Sequence, residues 1–190
     1  IPHGSGLGGG SSNAAILLNS LKSHINLKVK KQEIYEIASQ IGSDVPIALQ
    51  RKNTFLNGKI NKISRINTEF KLIIIIVYPN IFCSTREIYR RNKNFTSLKY
   101  RFKHTSVKKK LVNILKKENN DLEKTVIESH PKIGKLINFI KVQKGCYFSR
   151  VTGSGSACIG IFSNMKRALY TKKLIKLKFP KYWTVVSKTI

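Results

Sequence analysis

Acidic residues are scarce in this sequence of 190 residues, which has 9 Asp and Glu against 36 Lys and Arg and a formal net charge of +27. Such a balance is usual for proteins that bind nucleic acid or an anionic membrane. The lysines are, however, spread along the chain, and Ile, Lys and Asn are over-used together, as codon bias in an AT-rich genome produces. We therefore interpret the charge as a solvated basic surface, which also favours a phosphate-bearing substrate.

Cysteine is rare as well, and no long apolar segment is present. The three cysteines, Cys83, Cys146 and Cys158, contain no CxxC pair, so neither a disulfide framework nor a zinc site is predicted. We expect a reducing compartment: the cytoplasm of a bacterium, including an endosymbiont, or the interior of a plastid-like organelle. The longest apolar run, residues 72–78, is too short to span a bilayer.

Apolar periodicity and turn residues predict a mixture of helices and strands. Helices are predicted to start at Ser11 or Ser12, near residues 31 and 120, at Pro131 and near residue 166, and another follows a basic loop at 90–110. Strands are predicted at 55–63, as a hairpin around Asn57-Gly58, and at 72–77, 146–151, 157–162 and 183–190. This order favours a layered α+β fold, with a domain boundary between residues 66 and 67.

Glycine is concentrated in the segment Pro2-His-Gly-Ser-Gly-Leu-Gly-Gly-Gly-Ser-Ser-Asn-Ala-Ala15. Glycine backbone can approach a ligand closely, and a helix start offers unpaired N–H groups and partial positive charge. The segment therefore predicts a phosphate-binding loop. It matches GxGxxG formally, but no acidic residue follows in a ribose-binding position, and no lysine precedes Ser11 or Ser12 as a Walker motif requires. A flexible linker is the alternative, which the helix-forming continuation disfavours.

Two other short segments are candidates for chemistry. Asp44 lies in Gly42-Ser-Asp-Val-Pro46, where it could orient or deprotonate an attacking hydroxyl, or simply form an Asx turn. The segment Thr152-Gly-Ser-Gly-Ser-Ala157 could bring backbone close to a ligand or form a tight turn between strands. Neither segment decides between its two interpretations alone.

The order of these three segments is more specific than any one of them, and it resembles the GHMP kinase superfamily of small-molecule kinases. Asn120-Asp-Leu-Glu123 and Arg150-Val-Thr-Gly-Ser-Gly-Ser156 add to the resemblance. It implies a two-domain α+β architecture. Residues 1–66 would be the end of a ribosomal-protein-S5-like, ATP-binding N-terminal domain, and residues 67–190 a ferredoxin-like C-terminal domain.

The resemblance also implies roles for individual residues. Asp44 matches the family's catalytic aspartate, which accepts the proton of the attacking alcohol. Mg²⁺ is expected near Ser11 or, as an alternative left open, Ser12. The substrate cleft is expected to include Gly153, Ser154 and Gly155. The residues expected to bind ATP are Pro2, His3, Gly4, Ser5, Gly6, Leu7, Gly8, Gly9, Gly10, Ser11 and Ser12.

The triple glycine followed by Ser-Ser-Asn-Ala-Ala resembles the members that phosphorylate the 2-hydroxyl of a cytidine-diphosphate sugar alcohol in non-mevalonate isoprenoid synthesis. The resemblance thus implies a small-molecule substrate, with no nucleic-acid or membrane partner. Alternatives are a homoserine or mevalonate type of GHMP kinase and, from the charge alone, a nucleic-acid-binding module. The family's N-terminal Pro-Ala-Lys-like segment is absent from this sequence, so residues 1–190 alone are expected to be inactive.

Overall fold

The computed structural model describes residues 4–24, 29–56, 63–66, 70–96, 105 and 107–189. The described residues of Gly8–Thr68 form one unit, here called the helical unit. Those of Ile1–Leu7 and Glu69–Thr189 form the other, here called the sheet unit. The boundary predicted between residues 66 and 67 differs from this division mainly at the N-terminus, because Gly4–Leu7 pack with the sheet unit.

The helical unit contains helices packed against one another and a two-stranded antiparallel sheet. Its elements are α1 (Gly9–His24), α2 (Lys31–Ile41), α3 (Val45–Ala48), β1 (Asn53–Leu56) and β2 (Ile63–Ile66). The buried core consists of Ala15 from α1, Ile34 and Ala38 from α2, Val45 from α3, and Leu49. Ile34 and Ala38 are four residues apart and therefore lie on the same face of α2. The predicted Asn57-Gly58 turn lies outside the described residues.

The sheet unit is built on a four-stranded antiparallel sheet with the strand order β4-β5-β3-β6 among the described residues. Its strands are β3 (Ile73–Tyr78), β4 (Cys146–Val151), β5 (Cys158–Phe162) and β6 (Trp183–Lys188). In β3 the residues alternate between buried and half-buried, since successive side chains point to opposite faces of a sheet. Strand β4 lies at one edge of the sheet, next to β5.

Helices cover both faces of this sheet. They are α4 (Thr85–Arg91), α5 (Lys108–Lys117), α6 (Glu123–Ser129), α7 (Pro131–Lys141) and α8 (Met165–Lys178). On one face, Ile75 and Phe162 pack in the main core with Ile140 of α7 and Ile175 of α8. On the other face, a smaller cluster joins Val112 of α5 to Leu72, Phe148 and Ile161. The α+β prediction is therefore confirmed. No helix in the described part of the chain is long and apolar enough to cross a membrane.

Several local predictions differ from the structure. Helix α1 begins at Gly9, so Ser11 and Ser12 lie in its first turn instead of preceding it. Residues 42–46, predicted as a loop, include the start of α3, because Pro46 is tolerated in the first turn of a helix, where its missing N–H has no partner to lose. Helix α4 was not predicted, although Ser84 caps it by accepting a hydrogen bond from Glu87 N.

Candidate functional site

Residues Gly4–Leu7 of the glycine-rich segment pack against the turn formed by Thr152–Ser156, and both belong to the sheet unit. Ala157 N–H donates a hydrogen bond to the carbonyl oxygen of Ser5 at 3.0 Å. Ser5 itself is 2% exposed, so this part of the loop is fixed rather than free in solvent. Two segments that are far apart in sequence thus form one structural feature.

Glycine is required where these two backbones meet. Gly6 has φ +70°, and a Cβ placed on it would lie 2.7 Å from the carbonyl oxygens of both Thr152 and Gly155. Gly153 has φ +55°, and its Cβ would lie 3.1 Å from the carbonyl oxygen of Gly6. Because non-glycine residues rarely adopt these φ values and a side chain would contact backbone, the loop and the turn can pack this closely only with glycine on both sides.

The Thr152–Ser156 turn is also attached to the segment that leads into α4. Ser154 Oγ lies 2.9 Å from Thr85 Oγ1, and Ser156 Oγ donates to the carbonyl oxygen of Ile81. Both serines are buried, as is Gly155, whereas Gly153 is exposed. Of the three residues expected to line a substrate cleft, Ser154 and Gly155 therefore contact protein within the sheet unit, and Gly153 has an exposed backbone.

The start of helix α1 lies in the helical unit and has the features of an anion-binding site. Gly8 has φ +66°, and its carbonyl oxygen accepts a hydrogen bond from Ser12 N at 2.9 Å. The first turn of α1 contains no acidic residue, and a Cβ on Gly8 or Gly10 would meet nothing within 4 Å. The first N–H groups of a helix lack intrahelical acceptors, so this open helix end can hold phosphate oxygens. Pro2 and His3 lie outside the described residues.

Asp44 immediately precedes α3 in the helical unit, and its side chain is exposed. It makes no capping hydrogen bond to α3, and its Oδ1 lies 3.5 Å from Ser43 Oγ. Helix α3 is held against α1 because Val45 and Leu49 share a core with Ala15. A carboxylate that is neither buried nor used as a cap can accept a proton from a bound hydroxyl.

Arg65 in β2 fixes the segment that follows Asp44, a role that sequence reasoning missed. Its guanidinium donates to the carbonyl oxygens of Pro46 at 2.8 Å and Ile47 at 2.7 Å. It also donates to Thr54 Oγ1 at 2.7 Å and Tyr35 OH at 3.3 Å. The fork of guanidinium donors thus joins the β1–β2 pair to α2 and α3. A single arginine between Ser64 and Ile66 carries no sequence signal for this role.

The described residues contain no group of three or more His, Cys, Asp or Glu that could hold a metal ion. Mg²⁺ commonly takes only one or two protein oxygens and completes its shell with water and substrate phosphates. A serine hydroxyl in the first turn of α1, from Ser11 or Ser12, fits that kind of site. The cysteines do not fit such a site, because Mg²⁺ takes oxygen ligands. Burial also raises the pKa of the Cys146 thiol to about 11 and raises the pKa values of Cys83 and Cys158.

Two family models match the chain. Residues 1–52 match the model described as "GHMP kinases N terminal domain", and residues 106–174 match "GHMP kinases C terminal". The first match includes the glycine-rich segment and Asp44, and the second includes Asn120 and the Thr152–Ser156 turn. The site residues predicted from the sequence therefore lie within the matched regions, whereas Arg65 lies outside both.

Individual proteins are also similar to the chain, one in sequence and two in fold. The chain is 33% identical to a 4-diphosphocytidyl-2-C-methyl-D-erythritol kinase of Pelagibacter ubique (strain HTCC1062), over 100% of the chain and 66% of that relative. Its fold matches a crystal structure of 4-(cytidine 5'-diphospho)-2C-methyl-D-erythritol kinase with a TM-score of 0.73 at 21% identity, over 98% of the chain and 67% of that protein. It also matches a crystal structure of homoserine kinase from Cytophaga hutchinsonii with a TM-score of 0.72 at 11% identity, over 100% of the chain and 67% of that protein.

Proposed function

The chain belongs to the GHMP kinases, and from this we propose that it transfers the γ-phosphoryl group of ATP to the 2-hydroxyl of 4-diphosphocytidyl-2-C-methyl-D-erythritol. The observation that carries the proposal is the exposed carboxylate of Asp44, which makes no capping hydrogen bond to α3. Helix α3 follows Asp44 directly and packs against α1, the helix that begins in the glycine-rich segment. The relative of that name, 33% identical over the entire chain, supports the choice of substrate.

Residues Pro2–Ser12 bind the phosphate chain of ATP. ATP supplies the phosphoryl group, and Mg²⁺ neutralises charge on its phosphates when both are bound. The N–H groups at the start of α1 donate hydrogen bonds to phosphate oxygens, and the hydroxyl of Ser11 or Ser12 approaches the metal ion. Since the first turn of α1 has no acidic residue, no carboxylate there repels the phosphates.

Asp44 acts on the acceptor alcohol. Its carboxylate takes the proton of the 2-hydroxyl while that oxygen forms a bond to the γ-phosphorus. The bond between the γ-phosphorus and the bridging oxygen breaks, and ADP leaves with that electron pair. Positioning of the two reactants supplies most of the acceleration, and the general base adds a factor of about 10²–10⁴. Arg65 contributes indirectly because it holds Pro46 and Ile47, which follow Asp44.

The fold alone does not identify the acceptor, since a homoserine kinase fits it about as well as a kinase for the cytidylated substrate does. The proposal is tested by measuring ADP release from full-length protein with Mg²⁺, ATP and each of three acceptors: 4-diphosphocytidyl-2-C-methyl-D-erythritol, homoserine and mevalonate. We expect kcat/KM for the cytidylated acceptor to exceed the others by about 10³-fold or more, because a site built to hydrogen-bond one substrate rejects others strongly.

Higher kcat/KM with homoserine or mevalonate would assign the protein to a different member of the family. Absence of acceptor-dependent ADP release with all three would contradict the proposed reaction itself. Binding of AMP-PNP, an ATP analogue that resists phosphoryl transfer, is measured by calorimetry on the same sample. It separates a protein that binds no nucleotide from one that binds nucleotide but has not been given its acceptor.

A further inference from the structure

We propose that Asn120 and Glu123 are positioning residues, which hold the Thr152–Ser156 turn and, through it, Gly4–Leu7 in the conformation that binds ATP phosphates. The inference rests on the proposed function, because it concerns the same nucleotide site. Neither side chain needs to touch the nucleotide. Both act on the backbone at the end of β4, where the turn begins.

The side chain of Asn120 makes three hydrogen bonds, all to local backbone. Its Nδ2 donates to the carbonyl oxygens of Val151 at 3.1 Å and Gly153 at 2.8 Å. Its Oδ1 accepts a hydrogen bond from Leu122 N at 3.1 Å, which fixes the side chain at the start of α6. One amide thereby connects the start of α6 to the carbonyl groups of the two residues that flank Thr152.

Glu123, the first residue of α6, adds a hydrogen bond to the same end of β4. Its Oε2 accepts a hydrogen bond from Val151 N at 2.7 Å. Val151 is the last residue of the edge strand β4 and is 1% exposed. An unpaired backbone N–H that is buried at a sheet edge destabilises the fold. A hydrogen bond to a charged acceptor is stronger than one to a neutral acceptor. Asn120 and Glu123 together therefore bond both the N–H and the carbonyl group of Val151.

The turn transmits this attachment to the glycine-rich loop through direct backbone contacts. The residue whose carbonyl Asn120 holds, Gly153, is also the residue whose Cα faces the carbonyl oxygen of Gly6. At the far end of the turn, Ala157 N–H bonds the carbonyl oxygen of Ser5. A shift of Gly153 consequently moves the surface on which Gly6 rests, with no intervening side chain to absorb it.

The neighbours of Asn120 and Glu123 provide matched controls. Asn119 is exposed. The carboxylate of Asp121 instead accepts hydrogen bonds from the N–H and the Oγ1 of Thr96, both at 2.6 Å. Asn120→Asp keeps an acceptor for Leu122 N but removes both donors. Glu123→Gln keeps an oxygen that can accept from Val151 N, whereas Glu123→Ala removes it. Asn119→Ala changes a side chain of the same type outside the network.

The test measures AMP-PNP affinity in the presence of Mg²⁺ by calorimetry, with KM for ATP and for the acceptor, in full-length protein. Loss of two neutral hydrogen bonds in Asn120→Asp is expected to weaken AMP-PNP binding and raise KM for ATP about tenfold, with acceptor KM and kcat changed less than threefold. Glu123→Ala should show a comparable loss, Glu123→Gln should recover most of it, and Asn119→Ala should match wild type.

Hydrogen exchange in the nucleotide-free protein provides a measurement that does not depend on binding. The N–H of Ala157, which bonds Ser5, should exchange faster in Asn120→Asp than in wild type or Asn119→Ala. Unchanged AMP-PNP affinity and unchanged exchange in folded Asn120→Asp and Glu123→Ala would overturn the positioning roles while leaving the proposed function intact. Failure of wild type itself to bind AMP-PNP would instead overturn the proposed nucleotide site.

Discussion

Substitution of Gly6 by alanine tests whether the loop and the turn depend on backbone contact. Gly6 combines φ +70° with two carbonyl oxygens, from Thr152 and Gly155, at 2.7 Å from the position of an added Cβ. A contact this short forces the backbone on one side to move. We expect Gly6→Ala to destabilise the sheet unit.

The magnitude follows from two separate costs. Holding a non-glycine residue in the left-handed region costs about 1–2 kcal/mol. Insertion of one methyl group into a packed site costs about 1–3 kcal/mol more through displaced backbone. Part of this strain is relieved when the loop shifts, so we expect the free energy of unfolding to fall by about 2–4 kcal/mol. AMP-PNP affinity should fall as well.

The assay is urea denaturation followed by fluorescence of Trp183, the single tryptophan, which lies in β6 and therefore reports on the sheet unit. Gly10→Ala is the matched control, because Gly10 lies within α1 and its added Cβ meets nothing within 4 Å. Because Gly10 belongs to the helical unit, the unfolding that Trp183 reports should be unchanged in this variant. The helical unit should be unchanged or up to about 1 kcal/mol more stable, as measured by circular dichroism. If Gly6→Ala unfolds at the same urea concentration as wild type, the packing described for Gly4–Leu7 is wrong.

Three further substitutions test separate parts of the structure. Arg65→Met should lower the free energy of unfolding of the helical unit by about 2–4 kcal/mol, because Pro46 and other acceptors lose charged donors; circular dichroism during denaturation measures it. Gly160→Ala should cost about 1–3 kcal/mol in the same urea assay, since its Cβ would lie 2.6 Å from Ile140 Cγ2; wild-type stability would contradict that contact. Burial raises the pKa of Cys146 from 9.0 to about 11, so its neutral thiol stabilises the fold fully below pH 9 and progressively less up to pH 11. Cys146→Ser should weaken that decline of stability with pH, and an equal decline would contradict it.

Sequence reasoning succeeded where the signal is local. The β-branched run of residues 72–77 predicted β3, observed at Ile73–Tyr78, and Pro131 marked the first residue of α7. Helix α4 was missed although Ser84 and Glu87 have the spacing of a capping box, because the basic residues after it suggested a loop.

The candidate site was only partly predictable for a different reason. The glycine-rich segment, Asp44 and the Thr152–Ser156 turn are each recognisable as short patterns. Their order, not any local rule, connected them to one family. The contact of Gly6 with the turn and the hydrogen bonds of Arg65 join residues that are distant in sequence, and no periodicity or spacing encodes such contacts.

The central claim, that Asp44 is the base in phosphoryl transfer, is tested most directly by turnover of Asp44→Asn in full-length protein. Asp44 makes no capping bond to α3, so the substitution should leave folding and AMP-PNP affinity within twofold of wild type. Ser43→Ala, which changes the residue before Asp44, is the control, and this variant should retain most of the wild-type activity. The account predicts that kcat of Asp44→Asn with the cytidylated acceptor falls by about 10²–10⁴-fold. A kcat close to wild type, with nucleotide binding intact, would contradict it.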